Sequence, residues 1–165
     1  MADEHTFAAE LVTPEAALFA GEATALICRT SDGDLTILSG HTQLVGDVVA
    51  GVVRIEQPDG TTAAFCVHGG FLQVDTSPGA AEGLVEGVTS ADRTTRATLL
   101  AGVAEPVGAI DAERALAARD AASAAIAALT SRDDEDARLE REHAERALAR
   151  AELRLEVAGA AAPTH

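Results

Sequence analysis

The chain has 165 residues, of which 27 are acidic and 12 basic, giving a formal net charge of −15. That balance argues against a nucleic-acid or anionic-lipid surface, because binding phosphates needs clustered positive charge. Every basic residue is Arg, so a phosphate-loop lysine and Schiff-base chemistry are both ruled out.

Apolar residues make up 47% of the chain but aromatics only 2%. Val, Leu, Ile and Phe dominate the first two thirds and Ala the last, so a well-filled core is expected early and thin packing late. In chain order, Phe7, Ala9 and Leu11 fall on one side of an extended segment that Thr13-Pro14 ends. Leu18-Phe19 and Gly21-Glu22 read as a short bridge. Strands are expected at 23–29 and 35–38 around Thr30-Ser31-Asp32-Gly33, where Asp-Gly marks a hairpin. The turn Ser39-Gly40-His41-Thr42-Gln43 follows, then a strand over 48–56 with Gly51 as a bulge. Gln57-Pro58-Asp59-Gly60 turns the chain into a return strand at 61–68, and Gly69-Gly70 permits close backbone approach before 71–75. Many short strands at regular intervals read as an all-β sandwich or barrel. A lengthened hairpin is expected between 76 and 98, with strands at 84–88 and 97–103.

Residues 104–108, Ala-Glu-Pro-Val-Gly, read as a linker. Asp111 is a good N-cap for a helix carrying Ala115, Ala122, Ile126 and Leu129 on one stripe. Thr130-Ser131 breaks the pattern, and Asp133-Asp134-Glu135 opens a second helix to about 157 with the acidic first turn its dipole favours. Ala144, Leu148, Ala151 and Leu155 at 4-3-4 spacing suit packing against the first helix. Asp134–Arg138 and Glu142–Arg146 are spaced as i,i+4 pairs. Arg146, Arg150 and Arg154 form a positive ridge, which on a helix this charged is by default a solvated face.

No HExxH, GxSxG or Gly-rich phosphate loop is present, and Cys66 with His68 falls short of the ligand number of a metal site. No catalytic set and no metal set can be assembled. Cys28 and Cys66 lack CxxC spacing; buried free thiols are the preferred reading, with a disulfide left open. The N-terminus lacks an apolar signal core, and no run approaches the length needed to span a bilayer.

Leu-Thr-Ile-Leu-Ser-Gly-His-Thr-Gln-Leu-Val-Gly at 35–46 and Val-His-Gly-Gly-Phe-Leu-Gln-Val at 67–74 resemble the epsilon subunit of F-type ATP synthases. Leu-Val-Thr-Pro-Glu at 11–15, Leu-Phe-Ala-Gly-Glu at 18–22 and Ile-Asp-Ala-Glu-Arg-Ala at 110–115 occur in the family's order. The resemblance spans roughly residues 6–130. It implies an α+β chain: an N-terminal β-sandwich over 1–105, then an antiparallel two-helix hairpin over 106–165 with a short disordered C-terminal tail. It also implies a non-catalytic central-stalk subunit with three partners: the gamma subunit, the c-ring and the alpha/beta catalytic head. The cytoplasmic side of the cell membrane, as a peripheral component, is the implied location. The turns holding Ser31, Asp32, Gly33 and Gly40, His41, Thr42 would face the c-ring, and Arg146, Arg150 and Arg154 the head. Glu105, Ile110, Asp111, Arg114 and Ala115 match the family's ATP motif, which makes regulatory ATP the one cofactor to consider; the plainer reading is that Asp111 caps a helix and Arg114 is exposed. The chain departs from the family at Ser39 and Gln43, where prolines are usual, predicting a softer turn. The alternative reading is a free-standing β-sandwich and coiled-coil adaptor.

Overall fold

A computed structural model describes residues 6–77 and 95–161. The chain divides into two compact units that meet between Pro106 and Val107.

The first unit is a β-sandwich. Phe7–Val12 (β1) and Ala17–Ala23 (β2) pair antiparallel, and Ala25–Thr30 (β3) pairs with Gly33–Ile37 (β4) in the hairpin that Asp32-Gly33 signals. Leu44–Val48 (β5), Gly51–Glu56 (β6), Thr62–Val67 (β7), Gly70–Asp75 (β8), Arg96–Ala101 (β9) and Ala104–Pro106 (β10) complete it. The ladder runs β10-β7-β6-β3-β5-β8-β9-β1-β2, with β4 beside β3. Its middle link, β3 to β5, is the single pair Thr30–Val48, so the path folds into two leaves. One leaf holds β10, β7, β6, β3 and β4; the other holds β5, β8, β9, β1 and β2.

Period-2 alternation turns one side of each strand inward. Leu26, Cys28, Ile37, Val53, Ile55, Phe65 and Val67 from the first leaf meet Phe7, Leu11, Leu72, Val74 and Leu99 from the second in one buried cluster. Neither cysteine is in a disulfide, and both are buried. Burial first, and the Asp34 carboxylate second, push the Cys28 thiol up to about 11, so it packs as a small apolar group.

Several turns form as their residues dictate. Gly33 and Gly60 take φ of 126° and 82°, values that favour glycine. Asp59 Oδ1 accepts from Thr61 N–H at 2.9 Å and Thr61 O–H at 2.6 Å, which holds its carboxyl below the usual range. Gly70 is enforced by space: a Cβ there would stand 2.2 Å from the Leu100 carbonyl oxygen on the neighbouring strand.

Four expectations need correction. Residues 17–23 form a strand, β2, in place of a bridge, because β1 offers a full antiparallel edge. Gly51 begins β6 and is no bulge, since the chain leaves one leaf at Val48 and enters the other at Gly51. Residues 104–106 form strand β10 on β7, and only Val107–Ala109, a 3-10 turn, remains of the linker. Arg138 pairs with Asp133 at 3.1 Å, while Asp134 serves Arg132 at 2.9 Å. Of the lengthened hairpin, the second strand is β9; the expected strand at 84–88 lies outside the described residues.

The second unit is a pair of helices, Ala112–Ala128 (α1) and Glu135–Ala161 (α2). Asp111 caps α1 by accepting from the Arg114 N–H at 3.0 Å, and Asp134 caps α2 by accepting from the Ala137 N–H at 2.9 Å. Buried positions recur every seven residues: Ala115, Ala122 and Leu129 on α1; Ala137, Ala144 and Ala151 on α2. Small residues at this repeat let two helix axes approach toward the short end of the usual ~8–10 Å range. A guanidinium closes the turn between them. Arg141 Nη2 donates to the Leu129 carbonyl at 2.6 Å and to the Arg132 carbonyl at 3.1 Å, covering carbonyls at the negative end of α1.

Candidate functional site

Among the described residues no group of three or more His, Cys, Asp or Glu is placed to hold a metal ion. No helix among them is long and apolar enough to cross a membrane. The features that stand out are surfaces.

The first is a sheet face. In the second leaf, Phe71 on β8 sits between Asp47 on β5 and Leu100 on β9, and Leu100 in turn faces Val12 on β1. Their neighbours Leu72, Val74, Leu99 and Ala101 point into the core, so alternation sends Val45, Phe71 and Leu100 outward. They are 70%, 59% and 50% exposed. Three large apolar side chains on adjoining strands form a patch of the kind that marks a docking face. Sequence reading passed over Phe71 and Leu100, placing them in the strands at 71–75 and 97–103 without assigning either a face. The signal available was phase: Phe71 falls one residue out of step with Leu72 and Val74.

Beside this patch runs a polar row. Glu10 on β1 is buried and faces Thr98 on β9; its Oε2 accepts from Arg96 Nη2 at 2.9 Å. The two residues of the ion pair are 86 positions apart, beyond the reach of any local pattern.

The second surface is the pair of turns at either end of β4. Ser31, Asp32 and Gly33 close the β3–β4 hairpin, where the Thr30 hydroxyl donates to the Gly33 carbonyl at 2.9 Å. Gly40, His41 and Thr42 lie between β4 and β5. The five-residue strand sets the two turns on the order of 15 Å apart, so one partner covering both spans the length of β4. Where the family's prolines would fix the second turn, hydrogen bonds hold it instead. Gly40, at φ 76°, donates its N–H to the Thr95 hydroxyl at 3.0 Å, and His41 N–H donates to the Leu38 carbonyl at 3.0 Å. The His41 ring is half-buried, with Nδ1 2.8 Å from the Thr42 carbonyl. Thr95 is fully buried, and its carbonyl accepts from Ala8 N–H at 3.2 Å. A single residue at the start of β9 thereby ties the turn to β1.

The residues of the ATP motif fall as follows. Glu105 lies in β10 of the first unit, with Oε1 3.8 Å from His68 Nε2. In the second unit Asp111 is the cap of α1, Ile110 N–H donates to the Val107 carbonyl at 3.3 Å, Arg114 is exposed, and Ala115 is buried in the helix seam. Arg119 is committed to its neighbour Asp120 at 2.7 Å. On α2, Arg146 pairs with Glu142 at 2.7 Å, and Arg150 and Arg154 are half-buried along the same side.

Comparison with known proteins gives a consistent set. Residues 6–78 match the family model described as ATP synthase, Delta/Epsilon chain, beta-sandwich domain. The chain is 36% identical to the ATP synthase epsilon chain of Bacillus velezensis over 154 residues, 93% of this chain and 98% of that one. It is also 36% identical to the ATP synthase epsilon chain of Streptomyces avermitilis over 106 residues, 64% of this chain and 71% of that one. The fold resembles a chain in the Euglena gracilis mitochondrial ATP synthase OSCP/F1/c-ring assembly, with a TM-score of 0.66 and 22% identity over 93% of this chain and 81% of that one. A chain of the Tetrahymena thermophila mitochondrial ATP synthase central stalk and c-ring gives a TM-score of 0.51 at 14% identity, covering 92% and 95%.

The Thr95 tie yields a test. Thr95→Val keeps the volume but removes the hydroxyl, so the Gly40 amide exchanges faster in hydrogen–deuterium measurements and stability falls by about 1 kcal/mol. Thr95→Ser retains both. Unchanged Gly40 exchange in the valine variant would show that the turn is held without Thr95.

Proposed function

The chain belongs to the ATP synthase epsilon-chain family, and on that premise we propose that it is the non-catalytic central-stalk subunit of a proton-translocating F-type ATP synthase, coupling the rotor to the catalytic head. The observation that carries this reading is the outward Val45–Phe71–Leu100 patch. An exposed apolar face on a rigid sheet fits a permanent protein partner, and in this complex that partner is the gamma subunit. The turns at 31–33 and 40–42 supply the c-ring contact; their polar, exposed residues suit a smaller interface, with His41 and Asp32 as its hydrogen-bonding and charged groups. Through these partners the subunit sits peripherally on the cytoplasmic side of the cell membrane.

The helical unit restrains ATP hydrolysis. Its seam is built mainly of Ala, and each methyl-sized group contributes only about 0.8 kcal/mol on burial. A hairpin held this lightly has alternative arrangements within a few kcal/mol, which a regulatory element requires. Arg146, Arg150 and Arg154 are its contact with acidic segments of the head. A regulatory ATP is held at the start of α1, where Arg114 meets phosphate and Asp111, with one carboxylate oxygen already capping the helix, accepts from the ribose through the other.

Three measurements test the reading. Phe71→Glu, on an exposed position, leaves the isolated protein folded by circular dichroism but cuts co-purification with the gamma subunit by about ten-fold or more; full retention would remove the patch from the interface. Deleting the residues after Gly108 raises ATP hydrolysis by the assembled complex, and unchanged hydrolysis would end the inhibitory role. Calorimetry with millimolar MgATP gives a heat signal that Arg114→Ala abolishes; no heat from the unaltered protein would exclude nucleotide binding.

A further inference from the structure

Strand β10 is three residues long and lies at the end of its leaf, paired among the described strands with β7 alone. Pro106 has no N–H to donate, so few backbone bonds hold the strand. One that flanks it runs from the His68 N–H to the Val103 carbonyl at 3.0 Å. What lies against it is a buried imidazole. The His68 side chain is 5% exposed, with Nε2 3.8 Å from Glu105 Oε1 and 3.9 Å from Cys66 Sγ. Register explains the cluster: Glu105 stands directly across from Cys66, and His68 is two residues beyond Cys66 on the same side of the chain.

One ring nitrogen therefore faces both a carboxylate and a thiol. In the imidazolium, Nε2 turns a positive N–H toward the carboxylate at ion-pair distance; in the neutral tautomer with its proton on Nδ1, the Nε2 lone pair opposes the carboxylate. In the imidazolium form the contact becomes a charge pair, stronger in this partly buried setting than at the surface. Across β6, Val52 faces Cys66 and is uncharged; the Thr13–Glu15 turn, packed along Gly102–Ala104, brings the Glu15 carboxylate.

We propose that His68 makes β10 a pH-gated strap at the entry to the helical unit: the imidazolium holds Glu105 and keeps β10 on β7, and the neutral ring lets it go. The sign follows from which form carries the pair. Strap stability is fully present at pH below the His68 titration and is lost as pH rises through it. The consequence is mechanical. With β10 docked, the sandwich holds the chain as far as Pro106, where the helical unit begins; with β10 released, residues 102–106 become the tether. At about 3.5 Å per residue this gives the tether roughly 17 Å of reach that the docked strand withholds. The device acts on the chain's own tether and needs no partner to operate.

Hydrogen exchange of the full chain from about pH 5 to about pH 8, the range in which imidazoles ordinarily titrate, tests it. Corrected for intrinsic exchange, protection at the His68 amide, which donates into the strap, falls about five-fold across that range. Protection at Val53 and Ile55 in the sandwich core serves as the control for global loosening. In His68→Gln the pH dependence disappears. Glu105→Gln, a partly exposed edge position that leaves the core intact, abolishes it as well. Flat protection in the unaltered protein would overturn the proposal, and so would a fall that persists in either variant or that the core amides share.

Discussion

The sandwich depends on crossings that leave the chain almost no slack. Between leaves, β2 passes to β3 through Thr24 alone, β5 to β6 through Val49-Ala50, β7 to β8 through His68-Gly69, and β9 to β10 through Gly102-Val103. At the β7–β8 crossing, Gly69 takes φ 105° and Gly70 lies where any Cβ would strike the Leu100 carbonyl. That contact sets how closely β8 and β9 approach, and with it the phase that turns Leu72 and Leu99 inward and Phe71 and Leu100 outward. Shifting either strand by one residue would exchange the two sets. The outward apolar patch is thus a by-product of the same constraint that builds the core.

The sequence made legible whatever was local. Asp32-Gly33 and Pro58-Asp59-Gly60 specify their turns through the φ they permit, and Asp111 and Asp134 specify the starts of the two helices through the N–H groups they satisfy. What stayed hidden depends on distant partners. β2 and β10 are strands because β1 and β7 offer them edges; their own residues, rich in Ala and Gly or ending in Pro, carry weak β-propensity. The half-buried Glu10–Arg96 pair and the Thr95 tie to Gly40 join residues 86 and 55 positions apart. The family resemblance supplied the two-unit architecture and pointed to the 40–42 turn. It did not point to Phe71, whose significance lies in its exposure.

The two units are stabilised differently. The sandwich core unites Phe, Leu, Ile and Val from both leaves, each worth roughly 1.5–3 kcal/mol on burial. The helix pair buries Ala at nearly every seam position and gains much less per residue. Its specificity therefore rests on the ends: Asp111 and Asp134 at the two helix starts, and Arg141 spanning the turn to the last carbonyls of α1. Such an arrangement holds the hairpin in register chiefly through its ends.

The same arginines limit how the helical unit can meet a partner. On a chain of net charge −15, cations near so many carboxylates are drawn into internal contacts first. Arg141 is spent on carbonyls, Arg132 and Arg138 on Asp134 and Asp133, and Arg146 on Glu142. A head surface that engages the 146–154 ridge must compete with Glu142 for Arg146. The exposed Glu142–Arg146 pair is itself worth at most about 1 kcal/mol and weakens with salt. A partner carboxylate that is less solvated than Glu142 can displace it at small cost, and the displaced Glu142 returns to water. In the proposed role the ridge would exchange one weak internal pair for a stronger external one, a balance that would keep that contact reversible.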